Sequence, residues 1–436
     1  LREKDCYPVI HFAPEFGWLN DPNGLVWHDG IYEMYYQSNP DGVEWANMTW
    51  SRTYSTDLVH WHSPQEAVLF PDENGLMFSG CGLINSRGLL GLPEDALLFP
   101  YTAARHDSVL GGKFTIRMAY SLDGGKTLQK RDGTILDELA PFNRDPAVFW
   151  HEESQAYILC LWIDSNDFAI FRSENLEHFD FCSRLTLENG FECPDLFRLP
   201  VRDEDGNLTG EKKWVFWSAD GSYFVGAFDG YQFTQEQARR RAYLGDFLLP
   251  YAAQTWSDVP DGRVISVAWL RTKCVQNQTT GAMSLPRSFE LIKNARGYNL
   301  AQHLAEEIVR QEIPAKTGEA LDDAAIHLSV SCGSGENAIC FFGDDSEQPV
   351  LKISYRSSTG NLVFTYGEVS EFVRFGWGRG DKISAFDIIY DRGIIEVTAR
   401  NDMLFHACDY PFLRSTHISG VKINGDITAK SMGLIR

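Results

Sequence analysis

The chain lacks an apolar run of the roughly 20 residues that a membrane-spanning helix needs, and no charged-then-apolar leader opens it. These two absences give the expectation of a cytoplasmic protein with no membrane partner. Basic residues are too few for a nucleic-acid partner: 39 Lys and Arg face 60 Asp and Glu, for a net charge of −21. With no basic excess to neutralise phosphates, the charge serves solubility. Nine cysteines are present, but none forms a CxxC pair. An odd, scattered set favours free, mostly buried thiols in a reducing compartment. No His/Cys cluster has metal-ligand spacing. Convincing helical periodicity is scarce, and the tail holds no low-complexity segment.

Short strands and polar turns fill the sequence instead. Its 436 residues are long for one core, so two domains are expected. Apolar content of 44% and charge of 23% are those of a globular protein, and aromatics at 13% suit sheet cores or sugar-stacking surfaces. The organising stretch is Trp18-Leu19-Asn20-Asp21-Pro22-Asn23-Gly24. It leads into Leu25-Val26-Trp27, turns at Asp29-Gly30, and returns as Ile31 to Gln37, a strong hairpin signal. Pro22 biases Asp21 toward extended backbone, which places the acid at a strand entrance.

The same design recurs twice. Arg144-Asp145-Pro146 precedes one pair of apolar runs, and Glu192-Cys193-Pro194-Asp195 precedes another. A second repeat, Ser55-Thr56-Asp57, Ser121-Leu122-Asp123 and Ser173-Glu174-Asn175, marks side-chain-capped turns spaced by roughly fifty to sixty-five residues. That period suits β-propeller blades, about five of them at roughly 56 residues each. The expected organisation is all-β: a five-bladed propeller over residues 1–292, a connector over 293–315, and a β-sandwich over 316–436. Gln235 to Tyr243 is a candidate short helix between blades. His60 and His178 fall in the repeated turn and are assigned to structure.

In a propeller the inner strand of each blade runs along the central channel. Acids at the starts of three inner strands therefore converge at one mouth of it. Converging carboxylates suit glycoside hydrolysis: one attacks the anomeric carbon or activates water, and a second protonates the leaving oxygen. A third could hold sugar hydroxyls or steady the positive charge of the transition state. Asn20 and Asn23 are placed to donate to Asp21 and keep it ionised, as a nucleophile requires. The apolar neighbours of Glu192 suit a general acid. Arg144 and Asp145 are adjacent on a strand, which points them to opposite faces, so they need not pair. Any one Asp-Pro is ordinarily a turn; the three together, on one frame, make a catalytic set. Cys193 is read as packing.

At these residues the chain resembles the β-fructofuranosidase family, glycoside hydrolase family 32, which includes invertases, inulinases, levanases and sucrose-6-phosphate hydrolases. Trp18 to Gly24 resembles the family's W-M/L-N-D-P-N-G motif, Arg144 to Pro146 its R-D-P and Glu192 to Pro194 its E-C-P. Tyr36-Gln37, Trp45-Ala46-Asn47-Met48, Phe78-Ser79-Gly80, Ala253 to Trp256 and Ser284 to Arg287 are supporting matches, and Asp391-Arg392-Gly393 to Val397 resembles the family's sandwich signature. The resemblance implies a five-bladed propeller plus a sandwich and a retaining mechanism. It implies Asp21 as nucleophile, Glu192 as acid/base and Asp145 as transition-state stabiliser beside Arg144. It further implies a fructose subsite lined by Asn20, Gln37, Trp45, Ser79 and Trp256, with Trp18 at its rim and no metal or organic cofactor.

Departures fall on the leaving-group side. Trp45-Ala46-Asn47-Met48-Thr49-Trp50-Ser51-Arg52 stands where many members read W-G-N-M-H-W-G-H, and Cys81 follows Phe78-Ser79-Gly80. Arg52 is a candidate contact for a phosphate or a second sugar, with an exposed surface arginine as the alternative. The expected activity is release of fructose from sucrose, sucrose-6-phosphate or short fructans. The alternatives are a fructosyltransferase, an endo- or exo-acting levan or inulin hydrolase, an inverting arabinan-type hydrolase and a fructan-binding module. The sandwich is a candidate surface for a homo-oligomer.

Overall fold

The structure is a computed structural model, and it describes residues 7–62, 66–104, 113–244, 250–273, 278–317, 321, 324–344, 346–374, 385–399 and 404–436. Five antiparallel four-stranded units follow one another. Blade 1 comprises Gly17–His28, Ile31–Asn39, Thr49–Ser55 and Glu66–Leu69; blade 2 comprises Leu76–Gly80, Leu97–Ala104, Phe114–Ser121 and Gln129–Lys130. Blade 3 comprises Arg144–His151, Ala156–Asp164, Asp167–Ser173 and Asp180–Thr186; blade 4 comprises Asp195–Arg202, Leu208–Trp217, Ser222–Phe228 and Phe233–Gln235. Blade 5 comprises Tyr251–Thr255, Ile265–Leu270, Arg287–Asn294 and Gly297–Leu304. The ring closes through parallel contacts, Gly17 on Thr279 and Val26 on Ser257, between its first and last blades.

Why these segments make blades is visible in the pairing. Asp29 and Gly30 both have positive φ, and His28 pairs with Ile31, so this is a two-residue hairpin turn of the kind that Asp-Gly favours. The repeated Ser-x-Asp/Asn turns end the third strand of blades 1, 2 and 3. In each, the Asp or Asn side chain accepts backbone N–H groups just ahead of it, as Asp57 does from Val59 and His60. Large apolar side chains then fill the gaps between neighbouring blades. Tyr35 and Trp50 of blade 1 meet Phe99 and Tyr101 of blade 2, and Ile158 and Phe168 of blade 3 meet Phe216 and Phe224 of blade 4.

Two expectations about boundaries change. Residues 297–304, read as connector, form the outermost strand of blade 5, paired with Arg287–Asn294. Leu300, Ala301 and Gln302 are all buried, so both faces of this strand are covered at its centre and polar/apolar alternation does not mark it. The candidate helix over 235–243 is instead two short extended pieces that pair with Ser222–Phe228. Tertiary pairing there overrides helical propensity.

Among the described residues the second unit is a nine-stranded β-sandwich. Its long strands Ala325–Gly343 and Ile418–Ile435 pair with each other, with a break between Cys332 and Asn337. Before the break Ala325–Gly343 pairs with Ala385–Asp391; after it, with Leu351–Arg356. One strand thus passes from layer to layer, and Leu328, Phe341, Ile353, Phe364, Ile388 and Val397 form the core between them. The seven described cysteines are free thiols. No described helix is long and apolar enough to cross a membrane.

Propeller and sandwich share packed cores. Ile389 and Ile435 join Leu19, Tyr36 and Leu285, and Ile394 and Phe405 join Trp217 and Phe289. Polar groups are buried there too. The Asp391 carboxylate accepts backbone N–H groups of Val9, Ile10 and His11, at 2.6, 3.0 and 2.9 Å. The His11 ring bridges Asp391 (2.8 Å) and Glu396 (3.3 Å), and Arg287 donates to Glu396 at 2.5 Å. Asp391 and Glu396, the two acids of the sandwich signature, are therefore a clasp on the propeller.

Candidate active site

Asp21, Asp145 and Glu192 come from blades 1, 3 and 4, and the structure brings them together. Cys193 sits among them: its Sγ is 3.9 Å from Asp21 Oδ2 and 3.5 Å from Asp145 Oδ2, and its backbone N–H donates to Asp145 Oδ2 at 3.2 Å. Burial, and then the charges of Asp145, Asp21 and Glu192, push the Cys193 thiol far up, so it remains an S–H group. The residue read as packing is a hydrogen-bonded spacer between two carboxylates.

Each acid depends on an irregular backbone. Asp21 lies inside the strand Gly17–His28 rather than at its entrance. Register shifts between Leu19 and Pro22 and between Asn23 and Val26 absorb Pro22, which has no N–H to give. Asp145, Glu192 and Cys193 have φ of 65°, 51° and 39°, in the left-handed region uncommon for non-glycine residues. A bulge between Arg144 and Ala147 breaks strand alternation. Arg144 and Asp145 therefore do meet, with Arg144 Nε 3.8 Å from Asp145 Oδ2, contrary to the expectation from a regular strand.

Around Asp21 a ring of amides and hydroxyls closes. Trp18 Nε1 donates to Asn20 Oδ1 (2.8 Å), and Asn20 Nδ2 donates to Gln37 Oε1 (3.0 Å) and Asp21 Oδ1 (3.1 Å). Gln37 Nε2 donates to Ser79 Oγ (2.6 Å), and Ser79 Oγ donates to Asp21 Oδ2 (2.6 Å). Burial pushes the Asp21 carboxyl up; Ser79 and Asn20 pull it down, Glu192 pushes it up, and Arg271 pulls it down, with a net rise. Asn23 takes no part, since its Oδ1 accepts from the Gly80 N–H at 3.2 Å. Gly80 itself is required: a Cβ there would stand 2.1 Å from the Pro100 carbonyl oxygen.

Glu192 sits in a polar setting, not the apolar one expected. Its Oε1 pairs with Arg144 Nη2, and its Oε2 accepts from the Tyr251 hydroxyl at 2.6 Å. Phe191 turns away, edge-on to Trp162, and leaves Glu192 to the guanidinium. Arg144 is itself held over the Trp162 ring at 4.2 Å. Burial pushes the Asp145 carboxyl up, Arg144 opposes this, and the charges of Glu192 and Asp21 add to the rise.

Two of the expected sugar-lining residues fare differently. Trp45 is 42% exposed, with its ring edge-on to Phe78, the neighbour of Ser79. Trp256 does not line the acid cluster: it is 4% exposed, donates to the Glu33 carbonyl oxygen at 2.8 Å, and packs with Trp61 and Tyr32. Arg52, the candidate contact for a phosphate or a second sugar, is not an exposed surface arginine. Its guanidinium forks onto the buried Glu33 at 2.8 and 2.6 Å. Tyr251 and Arg271 were not foreseen. Tyr251 begins the inner strand of blade 5, beside Ala252 with φ of 51° and a register shift before Gln254. The irregular inner-strand start that carries the acids elsewhere carries a tyrosine there, and that shared frame was the available signal.

Comparison with known proteins agrees with this arrangement. The model of the glycosyl hydrolases family 32 N-terminal domain matches residues 11–303. A levanase of Bacillus subtilis is 34% identical over 394 residues, covering 83% of this chain and 56% of that protein. An invertase of Debaryomyces hansenii is 32% identical over 311 residues, covering 65% of this chain and 56% of the invertase. The chain thus spans about half the length of the curated relatives it matches. In fold it is similar to a fructofuranosidase from Schwanniomyces occidentalis, with a TM-score of 0.81 at 23% identity over 98% of both chains. A matching family model over two-thirds of the chain, on a propeller that gathers the three acids of its motifs, places this chain in glycoside hydrolase family 32.

Proposed function

We propose that the protein releases fructose from β-D-fructofuranosides such as sucrose, sucrose-6-phosphate or short fructans, with retention at the anomeric carbon. The observation that carries this reading is the convergence of three carboxylates from three blades on Cys193, with each acid held differently. Asp21 accepts hydrogen bonds on both oxygens, which orients a nucleophile. Its oxygen attacks C2 of the fructosyl unit while Glu192 gives a proton to the departing glycosidic oxygen. Water then enters, gives its proton to Glu192, and displaces Asp21 from the fructosyl ester, so both groups return to their starting states. Asp145, beside Arg144, holds fructose hydroxyls and steadies positive charge in the transition state. Asn20, Gln37 and Ser79 orient Asp21, while Trp18 and Trp45 border the sugar.

The test is incubation with sucrose, sucrose-6-phosphate, inulin and levan, with released sugars followed over time. Fructose from one or more is expected, and the ranking names the natural class. Asp21→Ala should abolish turnover, and Glu192→Gln should lower the rate by about 10²–10⁴. Undiminished turnover by Asp21→Ala would remove Asp21 from the chemistry.

A further inference from the structure

We infer that Arg271 is a positioning residue that sets both carboxylate arms of the site and supplies the cation that Asp21 faces. The inference rests on the catalytic reading above. Arg271 follows Trp269 by two residues at the end of the strand Ile265–Leu270, a spacing that returns side chains to one face. Tyr251 is the cross-strand partner of Trp269. The guanidinium carbon of Arg271 lies over both rings, 4.1 Å from the Tyr251 centroid and 4.7 Å from that of Trp269. Each ring leads to an acid. The Tyr251 hydroxyl donates to Glu192 at 2.6 Å. Trp269 meets Trp18 edge-to-face at 6.0 Å, and Trp18 donates to Asn20, which donates to Asp21.

A planar cation can hold two rings at fixed angles, which an ammonium or a neutral chain does not do equally well. Arg144 is already committed to Glu192 and Asp145. Arg271 is thus a second positive charge in a pocket of three carboxylates, and its field acts on Asp21. The groups facing Asp21 are Asp145, Glu192, Cys193, Tyr251 and Arg271. Among these described groups Arg271 alone carries positive charge.

The experiment compares full-length wild type, Arg271→Met and Arg271→Lys on whichever fructoside the wild type cleaves, with kcat, KM and the pH profile of each. For Arg271→Met, kcat should fall about tenfold or more, with KM changed less than about threefold. The acid limb of kcat/KM should also move to higher pH, because Asp21 loses the charge that favours its ionised form. Arg271→Lys keeps the charge and loses the stacking plane, so its acid limb should stay in place while kcat recovers only in part. An unmoved acid limb in Arg271→Met, or a change confined to KM, would overturn the inference. Should Arg271→Met fail to fold, wild-type kcat in Arg271→Lys would overturn it equally. Retained turnover by Asp21→Ala would instead overturn the catalytic reading, so the two failures are distinguishable.

Discussion

Replacing His11 by Gln keeps a polar side chain at the clasp and removes its charge. Burial alone would lower the pKa of His11, but the hydrogen bonds and charges of Asp391 and Glu396 outweigh it and raise it from 6.5 to about 9. That difference between folded and unfolded chains is worth about 3 kcal/mol. A raised pKa stabilises fully below the unfolded value, so the contribution is complete below about pH 6.5 and is lost as pH rises through about 9. On the acid side, burial pushes Asp391 and Glu396 up, but His11, and for Glu396 also Arg287, hold both below the ordinary carboxylate range. Their contribution is present above that range and lost as pH falls through their lowered values. Urea denaturation at pH 6 and pH 9 separates the terms. Wild type should lose about 3 kcal/mol more than His11→Gln between the two. Equal losses in the two proteins would refute a charged His11 in the fold.

Two further predictions concern single contacts. Ser79→Ala removes one charge-assisted bond to Asp21 and leaves Gln37 Nε2 without its acceptor. At roughly 1.5–3 kcal/mol for such a bond, kcat/KM should fall about 10- to 100-fold, with the acid limb shifted to higher pH; an unchanged pH profile would count against the ring around Asp21. Arg52→Met leaves the buried Glu33 with His28, 3.2 Å away, as its remaining ion-pair partner among the described residues. It should cost about 3–5 kcal/mol in denaturant stability, while Arg52→Met with Glu33→Leu recovers much of that; a loss below 1 kcal/mol for the single change would show the pair to be dispensable.

The architecture was legible because its signals are local and repeated. Asp29-Gly30 specifies a hairpin by backbone sterics alone, and the Ser-x-Asp turns recur because each blade must end its third strand in the same way. The acids were legible for the same reason. What escaped depends on irregularity or distance. Strand alternation puts Arg144 and Asp145 on opposite faces, where they need not pair; a positive φ at Asp145 brings them together. Glu192 looked apolar from its sequence neighbours, but its partners Arg144 and Tyr251 lie 48 and 59 residues away. Trp256 occupied a suggestive position and is spent on the core, whereas Tyr251, five residues earlier, reaches the site. The strand Ile418–Ile435 carries no clear period, because Gly420, Gly425 and Gly433 interrupt it, and its pairing with Ala325–Gly343 is what holds it extended.

The location of the sandwich has a physical rationale. Within each blade, antiparallel ladders of several residues fix the strands. The seam between blades 1 and 5 is closed by short parallel contacts at Gly17–Thr279 and Val26–Ser257. That seam carries Asp21 on one side and Tyr251 and Arg271 on the other, so its opening would separate the nucleophile from groups that orient it. The sandwich docks there: Ile389 and Ile435 pack with Leu19 and Leu285, and Asp391 grips the backbone of residues 9–11, just ahead of the strand that bears Asp21. Glu396 binds the other side through the Leu285 N–H and Arg287. Two acids on neighbouring strands, Ala385–Asp391 and Ile394–Ala399, thus hold the two blades that meet at this seam. Converging carboxylates repel one another, and left-handed residues add local strain of about 1–3 kcal/mol each. A site with those costs needs a scaffold that does not relax, and the clasp supplies restraint at the seam that the site spans.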